Sequence, residues 1–225
     1  MLLALCAAHA RHDWRFRAQA ILVPVTVIAL GGAALVGLPV ERLLVDPFQR
    51  HGLWHPALIF VLIALWMPIG AVVPFYASAD ARASWIMTTG VIAAEDLAAS
   101  VRRLVRVGLI VPWVVVVAVA YLAAGVAPLS VARHALTLWL VAELVAVAVQ
   151  RLLPRWPFSR ESDDQELAQA MAAAMTTTYV TCALVAAAVV HVAYRFWPAH
   201  VLFALSLLGA RAQMTTRLAP HRPDQ

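Results

Sequence analysis

The sequence predicts an all-α fold, a polytopic bundle of about six transmembrane helices with both termini in the cytoplasm. Of its 225 residues, 63% are hydrophobic and 13% are charged, against roughly 45–50% and about 25% in soluble domains. Six apolar stretches approach the ~20 residues that a helix needs to cross a bilayer. The basic residues, which are all arginines, are distributed unequally between the connecting segments.

The six predicted spans differ in length and in polar content. The first three contain no charged side chain, whereas the fourth is shorter and contains Glu143. The fifth is long enough to begin as an interfacial helix. The sixth is the shortest and also fits a re-entrant segment, because it falls below the usual spanning length. The predicted spans are residues 18–40, 56–79, 107–132, 134–150, 167–194 and 196–210.

The orientation follows from the arginines, which accumulate in cytoplasmic segments of membrane proteins. One side carries Arg11, Arg15, Arg17, Arg82, Arg102, Arg103, Arg106, Arg151, Arg155, Arg160, Arg211, Arg217 and Arg222. The other side carries only Arg42, Arg50, Arg133 and Arg195. The predicted cytoplasmic parts therefore include an N-terminal segment, a long loop and a C-terminal tail, and the expected location is the cytoplasmic (inner) membrane. These parts are residues 1–17, 80–106 and 211–225.

The second half of the loop 80–106 has an amphipathic pattern. Leu97, Val101 and Leu104 share one helical face, and the arginines lie elsewhere. The pattern fits a surface-lying coupling helix that docks a soluble partner, and it equally fits an interfacial extension of the third span. The candidate docking residues are Arg82, Trp85, Arg102, Arg103 and Arg106.

Glu143 is the most unusual residue of the predicted spans. An acidic side chain at the centre of a span costs about 2.5–3.5 kcal/mol, so it should face other helices or a water-filled cavity. Helical spacing places Trp139, Val147 and Gln150 on the same face. Two interpretations stay open, a proton or substrate site and a protonated carboxyl that bonds to a neighbouring helix. Thr178 and Thr181 of the fifth span are candidates for interhelical hydrogen bonds.

The sequence contains no pattern typical of an enzyme. It has no HExxH, GxSxG or P-loop motif, and its eight histidines are dispersed. We therefore expect no catalytic activity, no cofactor and no metal site. A net charge of +5 raises the question of nucleic acid. Membrane topology already accounts for the arginine distribution, so the lipid bilayer is the expected partner and nucleic acid is not.

Four motifs carry a family resemblance. "RHDWRFRAQA" precedes the first span, "SADARASW" follows the second, "ARHALTLWLVAEL" lies in the fourth and "RWPFS" follows it. In order and spacing they resemble a poorly characterised group of bacterial multi-pass membrane proteins, which are similar to permease components of ABC-type exporters. The resemblance covers residues 11–160, and its most specific parts are residues 82–85 and 157–159.

The chain departs from this group in length and in detail. Relatives have another membrane half upstream and usually have threonine where Ser159 stands, and residues 160–166 differ. The resemblance implies a half-length, non-catalytic, permease-like subunit that works with a soluble ATPase and with a second membrane subunit or another copy of itself. It assigns no functional residues. The alternative is a membrane scaffold or assembly factor whose polar groups only hold helices together.

Overall fold

The described part of the protein is a bundle of helices. The structure is a computed structural model, and it describes residues 44–48, 57–72, 75, 77–78, 94–152, 160–161 and 192–216. The predicted first span, most of the fifth, and Arg82, Trp85, Thr178 and Thr181 lie outside these residues. Within them, the all-α prediction is confirmed, because nearly every residue is helical. Besides turns, the described residues contain one parallel pairing of two-residue strands, β1 (Ala77–Ser78) and β2 (Arg160–Glu161).

Five α-helices make up the described bundle. They are α1 (Ala57–Val72), α2 (Ala94–Val105), α3 (Val111–Ala123), α4 (Pro128–Leu152) and α5 (Trp197–Thr216). A five-residue π-turn, Arg106–Ile110, joins α2 to α3 without interrupting the helix. The central helix is α4, which packs against α1, α3 and α5. Its middle, around Leu138, Leu140 and Ala142, is fully buried.

The boundary between the predicted third and fourth spans was wrong. The chain turns at Gly125, whose φ of 80° lies in the left-handed region that favours glycine. A proline then begins α4 at Pro128, where its missing N–H costs no hydrogen bond. Arg133 therefore lies inside α4 and not in a loop. The result is a helix of 25 residues, longer than the predicted span 134–150.

Two other boundaries also differ from the predictions. Among the described residues of the predicted span 56–79, the α-helix covers Ala57–Val72, and Ala77 and Ser78 are extended. A proline at position 74 disfavours helical backbone just beyond Val72. The sixth segment is longer than predicted, because α5 has 20 residues and continues past Ala210 into the predicted tail.

The amphipathic segment continues without a break into the predicted third span, through the long helix α2–α3. The backbone N–H of Val111 donates to the carbonyl of Arg106, five residues back, as a π-turn requires. The residue after Val111 is Pro112, which has no N–H to donate. The extra residue keeps Leu97, Val101 and Val105 of α2 in phase with Ile110 and Tyr121, and all five are buried.

Two described stretches, Asp96–Ala123 and Pro128–Arg151, are long and apolar enough to cross a membrane. Only 22% of the most apolar part of the first is buried, against 61% for the second. A helix in the core of a soluble protein would be mostly buried. The exposed side of α3 is a stripe of valines that includes Val111, Val115 and Val119. This exposure favours a membrane environment for α3.

Candidate functional site

The polar side chains of α4 form two separate clusters. Glu143 and Gln150, which lie about two turns apart on one face, belong to the Glu143 cluster together with Arg102, Arg106 and Arg211. Arg133, His134 and Thr137 belong to the Arg133 cluster nearer the start of α4, which also contains Asp46, Phe48, Tyr194, Trp197 and His200. Six residues separate Thr137 from Glu143, which is about 9 Å along the helix. The two clusters are therefore separate sites.

Glu143 is held by arginines from two other elements. Arg106 donates from Nε to Oε1 at 2.5 Å and from Nη2 to Oε2 at 2.6 Å, a bidentate arrangement. Arg211 of α5 places Nη2 3.5 Å from Oε2. Bidentate arginine–carboxylate pairs are among the strongest hydrogen-bonded pairs in proteins. The buried carboxylate, whose side chain is 4% exposed, is thus compensated by arginines.

Gln150 extends this cluster towards α2. Its Oε1 accepts a hydrogen bond from Nη1 of Arg102 at 2.5 Å, and its Nε2 donates to the carbonyl of Ala98 at 3.1 Å. A buried amide needs such partners, because an unsatisfied polar group away from water costs roughly 1–3 kcal/mol. Arg102 and Arg106 therefore attach α2 and the π-turn to α4, and Arg103 is the exposed member of the three.

The Arg133 cluster begins with a guanidinium between two aromatic rings. The Cζ atom of Arg133 lies 3.7 Å from the ring centre of Phe48 and 4.1 Å from that of Trp197. Such cation–π contacts contribute about 0.5–1 kcal/mol at exposed sites and about 2 kcal/mol when desolvated. The Phe48 ring also stacks on Tyr194, with centroids 4.7 Å apart. The segment 44–48 is thereby attached to both α4 and α5.

The position of Phe48 depends on a local turn. Oδ1 of Asp46 accepts the backbone N–H of Phe48 at 2.9 Å, which is an Asx-turn. Oδ2 of the same carboxylate accepts from the hydroxyl of Ser130 at 3.0 Å. Asp46 therefore connects the segment 44–48 to the first turn of α4.

Two histidines lie beside this turn. Nδ1 of His134 and the hydroxyl of Tyr194 are 2.6 Å apart, and Nε2 of His200 lies 3.4 Å from the hydroxyl of Thr137. His134 and His200 are 1% and 3% exposed, so these are interior contacts. Among the described residues, no three potential metal ligands of the His, Cys, Asp or Glu type come together.

The hydrogen bond between Tyr194 and His134 should contribute measurably to stability. We expect Tyr194→Phe to lower the free energy of unfolding by roughly 1–3 kcal/mol, because a buried ring nitrogen loses its partner. The measurement is denaturant unfolding in detergent micelles. The control is a double-mutant cycle with His134→Leu, which should show that most of the effect of Tyr194→Phe disappears. Additive effects of the two substitutions would contradict a direct contribution of this bond.

The predicted site residues are thus only partly brought together. Glu143 and Gln150 join Arg102 and Arg106, which are two of the candidate docking residues. Sequence reasoning missed Arg211 and the Arg133 cluster. The sequence did contain one signal for Arg211. Arg106 and Arg211 both adjoin predicted spans at the same end of the bundle, and Glu143 is nearer to this end than to the other. His134 and Tyr194 likewise adjoin predicted spans at the opposite end.

The described part is an all-helical bundle with charged groups inside it, and two of its helices are long and apolar enough to cross a membrane. These features define the broad class of helical membrane-associated proteins. Comparison with known proteins does not narrow this class, since no family model, curated protein or solved structure matches the chain.

Proposed function

We propose that this chain is a multi-pass protein of the cytoplasmic (inner) membrane and a non-catalytic, permease-like subunit of a transport system that a separate soluble ATPase drives. The observation that carries the proposal is the unbroken helix from α2 to α3. Asp96, Ala99 and Arg103 form an exposed face on α2, and the same helix continues through the π-turn into an apolar, exposed stretch. A partner bound to α2 would act directly on a membrane-crossing helix.

The ends of the helices support the proposed topology of six spans. Tyr194 and His200 contact the start of α4, and Arg211 contacts Glu143 farther along it. Helix α5 therefore runs parallel to α4, and Leu152 and Tyr194 lie at opposite ends of the bundle. A fifth span between them, as proposed for residues 167–194, fits this arrangement. The pairing of Ala77 with Arg160 joins the end of the predicted second span, next to the loop 80–106, to the segment around Arg160, and the arginine distribution assigns that loop and that segment to the same, cytoplasmic side.

The experiment is affinity purification of the tagged protein from its native membrane in mild detergent, with mass spectrometry of whatever co-purifies. We expect a stoichiometric soluble ATPase. Arg103→Glu should abolish its recovery, because this substitution reverses a charge on the exposed face of α2. Arg195→Glu is the matched control, since Arg195 is also exposed but lies at the opposite end of the bundle. Recovery of the protein alone, or only with itself, would refute the ATP-driven function.

A membrane scaffold or assembly factor is the second candidate function. It is favoured because both carboxylate oxygens of Glu143 already have hydrogen-bond partners. Both carboxylate oxygens are taken by arginines, which is how a purely structural charge would be held. The variant Glu143→Gln distinguishes the two functions. Loss of transport at unchanged protein abundance supports the permease-like subunit, whereas a fall in abundance that accounts for the whole phenotype supports the scaffold.

A further inference from the structure

The guanidinium of Arg133 lies within a stack of aromatic rings. Its Cζ atom is 3.7 Å from the ring centre of Phe48 and 4.1 Å from that of Trp197, so the two rings cover opposite faces of the guanidinium. Tyr194 stacks on the other face of Phe48, with centroids 4.7 Å apart and an interplanar angle of 11°. The order along the stack is therefore Tyr194, Phe48, Arg133 and Trp197. Because the N–H donors of a guanidinium lie in its plane, a ligand can reach them only at the uncovered edge.

This edge has no acceptor in the described part of the protein. The guanidinium of Arg133 forms no hydrogen bond or ion pair with any described residue, and its Nε atom is buried. Arg106 is different, because it donates two hydrogen bonds to the carboxylate of Glu143. A charged donor that is buried without an acceptor is unfavourable. The stack therefore holds Arg133 in a fixed plane with hydrogen-bonding capacity that its own bundle does not use.

The surroundings of this edge favour an anion. Asp46 is the acidic side chain described at this end of the bundle, and its two oxygens already accept from the N–H of Phe48 and the hydroxyl of Ser130. A second arginine, Arg195, is exposed beside the stack. Helices α4 and α5 both begin at this end, so the partial positive charges of both N-termini face the same region.

We propose that the edge of the Arg133 guanidinium binds a phosphate group, carried by a phospholipid headgroup or by a small solute. A planar arginine fork matches the oxygens of phosphate, and stacking on aromatic rings fixes its orientation in advance. The exposed rings of Phe196 and Trp197, 51% and 54% exposed, suit the headgroup level of a membrane, where phosphate is abundant. This inference goes beyond the proposed function, since the site requires neither an ATPase nor a particular orientation in the membrane.

The test uses the whole chain, purified in mild detergent, and two phosphate probes. Binding of radiolabelled orthophosphate is measured by equilibrium dialysis. Binding of dihexanoyl phosphatidylglycerol is measured by native mass spectrometry, with dihexanoylglycerol as the matched lipid that lacks phosphate. We expect binding of at least one phosphate probe and no comparable binding of dihexanoylglycerol. Binding of orthophosphate alone would identify a solute site, and binding of the phospholipid alone would identify a headgroup site.

The variants assign this binding to Arg133. Arg133→Gln should weaken it by roughly ten- to a hundredfold, because charge-assisted hydrogen bonds are lost. Arg133→Lys keeps the charge and loses the planar fork, so we expect an intermediate affinity. Arg103→Gln is the matched control, since it removes the same charge from an exposed position on α2 and should leave the affinity unchanged.

Two results would overturn the proposal. One is equal phosphate binding by Arg133→Gln and the unchanged protein, and the other is no phosphate-dependent binding of either probe by the unchanged protein. If Arg133→Gln does not accumulate in the membrane, Arg133→Lys takes its place in this comparison, because it keeps a cation between the rings. An affinity of Arg133→Lys equal to that of the unchanged protein would then contradict recognition by the guanidinium edge.

Discussion

Removal of the Glu143 carboxylate should destabilise the described bundle strongly. We expect Glu143→Ala to lower the free energy of unfolding by about 2–3 kcal/mol. Truncating one partner of a buried ion pair typically costs ~3–5 kcal/mol, because the remaining charge is left without compensation. Here the expected cost is lower, since the side chain of Arg106 is 35% exposed and can reach other polar groups.

The measurement is unfolding of the purified protein in mixed micelles, followed by helical circular dichroism. Arg103→Ala is the control, because an exposed arginine away from Glu143 should change stability by no more than about 0.5 kcal/mol. Equal stability of Glu143→Ala and the unchanged protein would show that the ion pairs do not hold the helices together.

A single-residue deletion in α3 should strongly reduce the amount of protein that accumulates in the membrane. Deletion of Val115 rotates everything beyond it by about 100° relative to the preceding helix. Val117 and Tyr121 would then leave the buried face, and Tyr121 would lose its edge contacts with Phe60 and His134. We expect this variant to fail to accumulate in the membrane, as measured by immunoblotting of membrane fractions.

Deletion of Gly108 is the matched control, since it removes one residue from the π-turn. A π-turn has one residue more than an α-helical turn, so its loss restores α-helical bonding and keeps the flanking faces in phase. We expect substantial accumulation, reduced by the strain of Pro112 in a regular helix. If both deletion variants were lost equally, the π-turn would not be what keeps the buried faces of α2 and α3 aligned.

The all-helical class followed from the sequence with little ambiguity, whereas the helix ends did not. Hydropathy marks where a chain is apolar, and it marked 107–132 and 134–150 as separated by Arg133. The structure separates them at Gly125, because backbone geometry at a tight turn outweighs the position of a charge that cation–π contacts can accommodate. The longer α5 escaped prediction for a similar reason, since Arg211 interrupts an apolar run but is paired with Glu143.

The candidate site also divides into a part that the sequence predicts and a part that only the tertiary structure decides. Helical periodicity alone placed Glu143 and Gln150 on one face and required partners for them. It could not identify those partners, because an arginine at the end of a helix reaches towards headgroups or towards the core according to the rotation of its helix. For Arg102 and Arg106 that rotation depends on the π-turn, in which Val111 bonds to Arg106. The same periodicity had assigned both to an exposed surface.

The sequence by itself therefore determined two properties, the lipid surroundings of the apolar segments and the all-helical fold class. Its apolar content exceeds what a soluble fold can cover, and a carboxylate in such a run must face other helices. Only the tertiary structure decided which cations meet Glu143, and that Arg133, Phe48 and Trp197 stack at the far end of α4. Composition and periodicity are properties of each segment alone, whereas these contacts depend on how helices far apart in the chain are rotated and aligned.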